Sequence, residues 1–391
     1  MAAFSGNLNS NSLYVGLYNA YKLVNEIADG LSGLEDEIVG KYAMDGGNYE
    51  DQIVFTDTDV LASRVFDPDD GNVLAPEMIA DTKQQVITIN KRRQIGLYNQ
   101  AFRTKQAWMK ADAFDAFNSS VQRQIGNTKK VYDLSKIFVA IGTHAGAGAQ
   151  AVSIDVTTPT TGLTGSELSR VKTLTIGDGI SNTMVKLKDF TRDFNNNGFL
   201  KSFDEGDFDI YVNAEIWSTL VKTGLPVIFN KDGVLQSVKP IPARFFGAPA
   251  AAGTADGSTH RAMEEYKIRV NAQGQYAANG TTIKNVFAGE LLPAGTPIVA
   301  AGTAETTGSG AFSINGKSIT VTYYSTVHAY AEDADKLGVI VHKNGLKYIR
   351  SWSINSSFNN DKNHSVNMYA TWQFADPEFL DSYPAVSIDL V

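Results

Sequence analysis

The feature that most constrains this chain is a long stretch of helical periodicity, from Thr104 to about Val139. Side chains suited to one helical face recur there at steps of three or four: Phe114, Phe117, Val121, Ile125, Thr128 and Tyr132. Asp112 and Asp115 can cap the first turn. A helix of roughly 25 residues spans about 38 Å, so we expect a backbone onto which other elements pack. An ordinary long helix in an α+β enzyme would show the same pattern.

Composition excludes several kinds of chemistry. The chain has 391 residues, a formal charge of −8 and no cysteine, so disulfides, thiolate nucleophiles and Cys-ligated zinc are excluded. The acidic balance argues against broad nucleic-acid binding. The N-terminus lacks the basic and apolar regions of a secretory signal, and no apolar run is long enough for a membrane helix, so we expect no membrane partner.

The segments before the long helix are predicted to be extended. Residues 1–47 are expected to form an arm with one short helix beginning at Ser12. That helix is apolar on more than one side, which fits burial within the monomer or docking on a neighbouring subunit. Residues 48–103 are expected to form a protruding hairpin, whose strands, Gln52–Val60 and a second beginning at Gln85, flank the turn-rich segment Phe66–Pro76.

The second predicted strand continues from Gln85 into the densest basic cluster of the chain, Lys91, Arg92 and Arg93. A solvated strand end is the simplest interpretation. The alternative is that these cations form salt bridges with another subunit, in which case reversing Arg92 and Arg93 to Glu would impair assembly more than folding.

The long helix is predicted to cover residues 104–142. An α/β core follows in residues 143–252 and 328–391, with short helices at Ser166–Thr173 and Met184–Phe194. Phe208–Asn213 is predicted to be a strand that leads into a helix, Ala214–Lys222. Residues 253–327 show only short strands and turns, which predicts a small inserted β domain. Alternation predicts closing strands, with Tyr348, Arg350, Trp352 and Ile354 on one face.

No catalytic or cofactor-binding residues are predicted. The five histidines lie far apart in the sequence, without an HExxH pair. There is no GxSxG elbow, no P-loop ending in Gly-Lys-Ser/Thr and no dinucleotide GxGxxG fingerprint.

One segment matches the ligand spacing of a calcium loop. The candidate ligands are Asp193, Asn195, Asn197, the carbonyl of Phe199, and Asp204, with Gly198 at the sixth position. Asp204 replaces the usual Glu, and Lys201 stands at an unfavourable ninth position. A polar turn between a helix and a strand explains Asn-Asn-Gly equally well. A structural calcium ion is therefore one hypothesis for this segment, and a polar turn is the other.

The order of these parts resembles the major capsid protein of tailed bacteriophages, the Hong Kong 97 fold. The resemblance implies an N-arm, an E-loop hairpin, a long spine helix, and P- and A-domains. Locally it is carried by DIYVNAEIWSTL, the later RFFGAP, and the closing PAVSIDLV. The resemblance covers most of the chain, and only the inserted β domain lies outside it.

The resemblance implies a structural protein rather than an enzyme. Such a protein self-assembles into hexamers and pentamers, which form an icosahedral shell around a double-stranded DNA genome. Its expected partners are copies of itself, other head proteins such as portal, scaffold or cement protein, and packaged DNA contacted without sequence specificity. The expected location is the virion capsid, assembled in the host cytoplasm. A surface adhesin with a receptor-binding β domain, or an enzyme without recognisable motifs, are the alternatives.

Overall fold

A computed structural model describes residues 36–63, 65, 80–100, 111–223, 238–314, 317–360 and 365–391. The helix predicted to begin at Ser12 and the turn Phe66–Pro76 lie outside these residues. The chain divides into two compact units. The first contains residues up to Asp51, Ile89–Leu134 and Ile349–Ala375, and the second contains Gln52–Thr88, Ser135–Tyr348 and Asp376–Val391.

The described helices are few and differ greatly in length. They are α1 (Asp36–Tyr42), α2 (Ala111–Gly142), α3 (Gly165–Lys188) and α4 (Ala214–Thr223), with 3-10 turns at Gly148–Gln150, Glu205–Asp207 and Ala243–Phe245. Helix α2 confirms the long helix from Ala111 onward, and residues 104–110 lie outside the described part. Every residue from Tyr132 to Val139 is buried, so this end of α2 packs on all sides rather than along one stripe.

Helix α3 corrects the prediction of two short helices. It runs without a break from Gly165 to Lys188 and includes Gly179, which packs closely against a strand. A Cβ on Gly179 would lie 2.4 Å from Cδ1 of Ile154. The small residue therefore lets a strand approach the helix, and the backbone remains helical through it.

The strands are numerous and mostly short. They are β1 (Ala43–Asp45), β2 (Gln52–Thr58), β3 (Thr82–Thr88), β4 (Lys91–Gln100), β5 (Ala151–Ile154), β6 (Phe208–Asn213), β7 (Val238–Ile241), β8 (Gly247–Pro249), β9 (Gly253–Thr254), β10 (His260–Ala262), β11 (Tyr266–Val270), β12 (Thr282–Val286), β13 (Pro297–Ile298), β14 (Thr307–Ile314), β15 (Lys317–Tyr324), β16 (Ala329–Glu332), β17 (Lys336–His342), β18 (Leu346–Asn360), β19 (Ser365–Phe374), β20 (Glu378–Phe379) and β21 (Ala385–Leu390).

The core of the second unit is a mixed five-stranded sheet covered by α3. Its strand order is β5-β21-β17-β6-β7, with β5 parallel to β21 and β6 parallel to β7. Ile176, Ile180 and Met184 of α3 pack on Ile210 and Ile340 of the sheet. The predicted step from Phe208–Asn213 into a helix is confirmed, and the closing strand lies between β5 and β17.

The predicted β insertion contains strands and turns but no described helix, as expected. β11, β12, β14 and β15 form a four-stranded sheet, and β9 pairs with β13. A separate three-stranded sheet joins β10 to β16 and β8, so its pairing reaches past both predicted ends of the insertion. The insertion has its own apolar core, which includes Tyr266, Ile268 and Val286.

The sheet of the first unit has the order β1-β18-β19-β4. Tyr132 of α2 contacts two side chains of β19, with ring centroids 5.9 Å from Trp372 and 5.5 Å from Phe374. The pairing of β18 with β19 shifts between Arg350 and Ser353. The predicted continuous alternation along β18 is therefore wrong, because this β-bulge moves later residues to the opposite face.

The second hairpin strand does not continue into the basic cluster. β3 ends at Thr88 and pairs with β2, whereas β4 begins at Lys91 and pairs along its whole length with β19. The two strands belong to different units because β4 has a partner more than 250 residues later in the chain. The predicted antiparallel pairing of the two hairpin strands is thus confirmed as β2–β3, and the continuation into residues 91–100 is wrong because those residues form a separate strand.

Candidate assembly surface

The β2–β3 hairpin is a two-stranded sheet with two unlike faces. Val54 lies directly opposite Val86, and these side chains are 49% and 46% exposed. Ile53 and Phe55 point to the other face and are half-buried, while Ile87 beside them is fully buried. Alternation along both strands therefore places one apolar pair toward the unit and one toward solvent. We call the face that carries Val54 and Val86 the outer face.

Two aspartates fix the inner face of the hairpin to the turn of residues 191–201. Asp57 Oδ2 accepts hydrogen bonds from Lys201 Nζ at 2.6 Å and from Asn197 Nδ2 at 3.1 Å. Asp59 forms an ion pair with Arg192. These contacts hold the hairpin near the end of β2, so that its outer face has a defined orientation on its own unit.

Strand β3 provides further anchors. Lys83 Nζ donates to the carbonyl of Asn197 at 2.7 Å. The amide of Gln85 donates to the carbonyl of Phe379 at 3.0 Å and accepts from the backbone N–H of Asp381 at 2.9 Å. One glutamine thus satisfies backbone groups of a loop near the end of the chain.

The two aspartates are held in their charged form. Burial would raise the pKa of Asp57, but hydrogen bonds from Lys201 and Asn197 and the charge of Lys201 outweigh it and lower the pKa below 3.8. The hydrogen bond from Arg192, followed by the backbone N–H of Leu200, lowers the pKa of Asp59. A carboxylate whose pKa is lowered on folding stabilises the fold at pH values above its ordinary pKa. That stabilisation is lost as the pH falls through the lowered pKa. The anchors are therefore fully formed near neutral pH.

The predicted calcium ligands are engaged in other contacts. Asn195 Oδ1 accepts from the backbone N–H of Phe199, and Asn195 Nδ2 donates to the carbonyl of Phe199. Asp204 Oδ1 accepts from the N–H of Glu205. Asn197 donates to Asp57, as described above. These bonds favour the polar-turn interpretation, and calcium binding stays a prediction. Among the described residues, no group of three or more His, Asp or Glu side chains could hold a metal ion.

We expect millimolar Ca²⁺ to leave the thermal unfolding temperature of this protein unchanged relative to EDTA. The reason is that Asn195 and the carbonyl of Phe199 bond to each other, and an ion would have to break both bonds. Differential scanning calorimetry in Ca²⁺, Mg²⁺ and EDTA tests this. A rise in Ca²⁺ alone that disappears in an Asp193→Ala variant would instead support the calcium hypothesis.

The basic cluster lies on β4, not on the hairpin. Arg92 is exposed, and its guanidinium lies 3.5 Å from the centroid of the Tyr49 ring. Arg93 is half-buried and lies 5.3 Å from the centroid of Tyr132. The two arginines therefore have different roles, since Arg93 packs into the unit and Arg92 faces solvent. A subunit contact of Lys91, Arg92 and Arg93 stays a prediction.

The described histidines do not converge on a site. His144 contacts the carbonyl of Ala385, and burial lowers its pKa. His328 contacts the carbonyl of Thr303. His342 stacks on Tyr383, and burial lowers its pKa to about 4. His364 lies outside the described residues. None of the described helices is long and apolar enough to cross a membrane.

The hairpin anchors were missed by sequence reasoning. Asp57 and Asp59 follow Phe55 at intervals of two, on the same face of the predicted strand, and Lys201 stands at the ninth position of the calcium-loop pattern. A signal was present, because charged residues on the same face as apolar ones in a strand call for partners. The sequence does not say that the partners lie more than 130 residues away.

Known structures share this architecture. A chain in the capsid structure of Staphylococcus phage Andhra is similar with a TM-score of 0.55 and 9% identity, over 89% of this chain and 83% of that chain. This chain has a phage capsid-protein fold. A second chain, from the structure of head fiber and inner core protein gp22 of native bacteriophage P68, is similar with a TM-score of 0.54, 9% identity and the same coverages.

The capsid-protein fold confirms the α+β class predicted from the order of elements. No family model and no curated protein matches the sequence. At 9% identity the likeness extends to the fold and not to individual residues. The division into N-arm, E-loop, spine, P- and A-domains stays a prediction.

Proposed function

We propose that this protein is the major capsid protein of a tailed bacteriophage. The observation that carries the proposal is the capsid-protein fold over 89% of the chain. The subunits assemble into hexamers and pentamers that form an icosahedral shell around double-stranded DNA. Each subunit meets neighbours through different surfaces, since rings and shells need heterologous contacts.

The outer face of the β2–β3 hairpin supports this function. A two-stranded hairpin is only marginally stable by itself, and here its inner face is fixed by Asp57 and Asp59 while Val54 and Val86 remain exposed. An exposed apolar pair on an anchored element is suited to contact with another subunit. Val60, Leu61 and Val65, which follow β2, are also exposed, so apolar surface continues beyond the strand.

The expected partners and location follow from this role. The protein contacts copies of itself and other head proteins such as portal, scaffold or cement protein, and it resides in the virion capsid after assembly in the host cytoplasm. With a formal charge of −8, it contacts DNA without reading sequence, through local surfaces only. The role requires neither a cofactor nor a membrane.

Two alternatives remain testable. A surface adhesin would use the inserted β domain to bind a receptor, and would remain monomeric or form a small oligomer. An enzyme would need converging reactive side chains. One open groove of about 520 Å³ is lined by Lys186, Asp189 and Asp193, but no described histidine lines it. We therefore propose a structural role rather than a catalytic one.

Solution mass with negative-stain images of the same fractions tests the proposal. Megadalton shells, tubes, or discrete pentamers and hexamers are expected from the expressed chain, alone or with co-expressed phage head proteins. A stable monomer under all of these conditions would contradict the capsid role.

We expect Arg92→Glu to reduce the yield of assembled particles while the unfolding temperature changes little. Arg92 is exposed, whereas Arg93 packs against Tyr132, so a change at Arg93 would disturb the fold as well. Sedimentation of particles and calorimetry of the unassembled protein measure the two effects. Lys172→Glu, an exposed charge reversal on α3, is the control. Equal particle yield from both variants would show that the cluster is not an assembly contact.

A further inference from the structure

Among the described residues, the distal half of β18 lies at an edge of the first unit's sheet. β1 has only three residues, and the last contacts on that side are Gly46 N–H to Arg350 O at 2.6 Å and Ser351 Oγ to the carbonyl of Gly47. From Ile354 to Asn360, β19 is the partner of β18 among the described strands, because β1 has three residues and ends beside Arg350. Within the part of the chain that the structure describes, one row of backbone donors and acceptors is therefore open to another strand.

This edge lacks the features that usually prevent strand pairing. Its sequence from Ser353 to Asn360 is SINSSFNN, with no charged residue and no proline. Exposed edges are normally guarded by lysine, by proline or by an inward charge. The opposite edge of the same sheet, β4, begins with Lys91, Arg92 and Arg93. One edge is thus guarded by cations and the other is not.

The β-bulge in β18 determines which side chains this edge exposes. Arg350 pairs with Phe374, but Ser353 pairs with Trp372, so two residues of β18 oppose Gln373. Without the extra residue, Ile354 and Phe358 would share the face of Trp372, which packs on Tyr132. With it, they point to the opposite face, where they are 47% and 63% exposed. The bulge therefore creates an exposed apolar pair.

The spacing of this pair is self-complementary. Ile354 and Phe358 lie on one face, two residues on either side of Ser356. If two antiparallel copies of the strand meet at Ser356, each Ile354 lies opposite Phe358 of the partner subunit. Aromatic and β-branched residues form favourable cross-strand pairs. Because a two-fold axis relates the two copies, the contact between Ile354 and Phe358 forms twice.

We propose that β18 pairs with β18 of a second copy of this chain, antiparallel and about a two-fold axis at Ser356. The pairing joins the two sheets into one and covers Ile354 and Phe358 of both copies. This pairing would be one contact of the proposed self-assembly, and the inference rests on that proposed function. Pairing of β18 with β4 of another copy is disfavoured because the first three residues of β4 are cations.

Cysteine substitution tests the pairing, because the chain has no cysteine of its own. In the proposed register, residue 356 faces its own copy at a Cα distance of about 4.5–5.5 Å, which suits a disulfide. We expect Ser356→Cys particles to give a disulfide-linked dimer on a non-reducing gel after mild oxidation. Asn355→Cys is the matched control, because its two copies would be diagonal neighbours about 7–8 Å apart.

The expected result is about tenfold more linked dimer from Ser356→Cys than from Asn355→Cys, since only the first pair lies within disulfide reach. Particles that form normally but show equal or no linkage would overturn the pairing while leaving the capsid function intact. Failure of the unsubstituted chain to assemble at all would overturn the capsid function itself, and the pairing with it.

A charge exchange tests the register without a crosslink. Ile354→Glu with Phe358→Glu places like charges opposite each other and should reduce particle yield severalfold. Ile354→Lys with Phe358→Glu places opposite charges across the same axis and should restore most of it. Equal particle yields from the two double variants would overturn the register.

Discussion

Replacing Lys136 by methionine is expected to lower the free energy of unfolding by about 3–5 kcal/mol, the usual cost of breaking a buried ion pair by removing one partner. Lys136 Nζ lies 2.8 Å from Glu264 and 2.9 Å from Asp376, and only 8% of the lysine side chain is exposed. Methionine keeps most of the volume but leaves two carboxylates without their shared cation.

The position of Lys136 explains why the effect should be large. It belongs to the fully buried end of α2, whereas Glu264 lies within the inserted β domain. Without the lysine, the buried carboxylate of Glu264 must either remain charged without its cation or take up a proton. Both outcomes oppose the packing of the insertion on this helix within the second unit.

Urea unfolding of the unassembled protein, followed by tryptophan fluorescence, measures the loss. Lys172→Met, on the exposed face of α3, is the control and should change stability by no more than about 0.5 kcal/mol. Adding Glu264→Gln to the Lys136→Met variant should recover part of the loss, because one unpaired charge disappears. A Lys136→Met variant as stable as the control would show that the ion pair contributes nothing.

Elements with strong local signals were predictable from the sequence. The long helix α2 has sustained periodicity over many turns, and the step from Phe208–Asn213 into α4 combines an apolar strand with an amphipathic helix. The closing strand was expected to be buried and lies inside the five-stranded sheet. In each case a short-range pattern and the tertiary packing agree.

Features that depend on distant partners were not predictable. Nothing near Thr88 shows that the chain leaves β2 and that β4 pairs with β19 instead. Gly179 resembles a helix break unless the approach of Ile154 is known. The sequence gives no sign of the β-bulge near Arg350, because the expected inward and outward positions alternate without interruption from Tyr348 to Ile354.

The sequence of residues 193–204 fits two different structures, a calcium loop and a polar turn. Asn195, Asn197 and Gly198 stand at loop-ligand spacing, but the same residues also build a polar turn. The structure uses Asn195 to bond the backbone of Phe199, and Lys201 to bond Asp57 of the hairpin. The residue that is unfavourable for calcium is thus one of those that anchor the hairpin and orient its outer face.

Replacing Val54 by aspartate is expected to raise the concentration needed for assembly by about 10- to 100-fold. Burying a valine side chain contributes roughly 1.5–3 kcal/mol, and each 1.4 kcal/mol corresponds to about a factor of ten in an equilibrium constant. A charge opposite Val86 would add a desolvation cost at any interface that covers this pair. Light scattering during assembly, over a series of protein concentrations, gives the critical concentration directly.

The fold of the subunit should tolerate the Val54→Asp change, because Val54 is half exposed and the hairpin is fixed by Asp57, Asp59 and Gln85 on its inner side. Ile319→Asp is the matched control, since Ile319 also lies on a strand and is 45% exposed. Calorimetry should show similar unfolding temperatures for both variants, with assembly impaired only for Val54→Asp. Equal impairment would mean that any added surface charge disturbs assembly, and normal assembly of both would remove the outer face from the contacts between subunits.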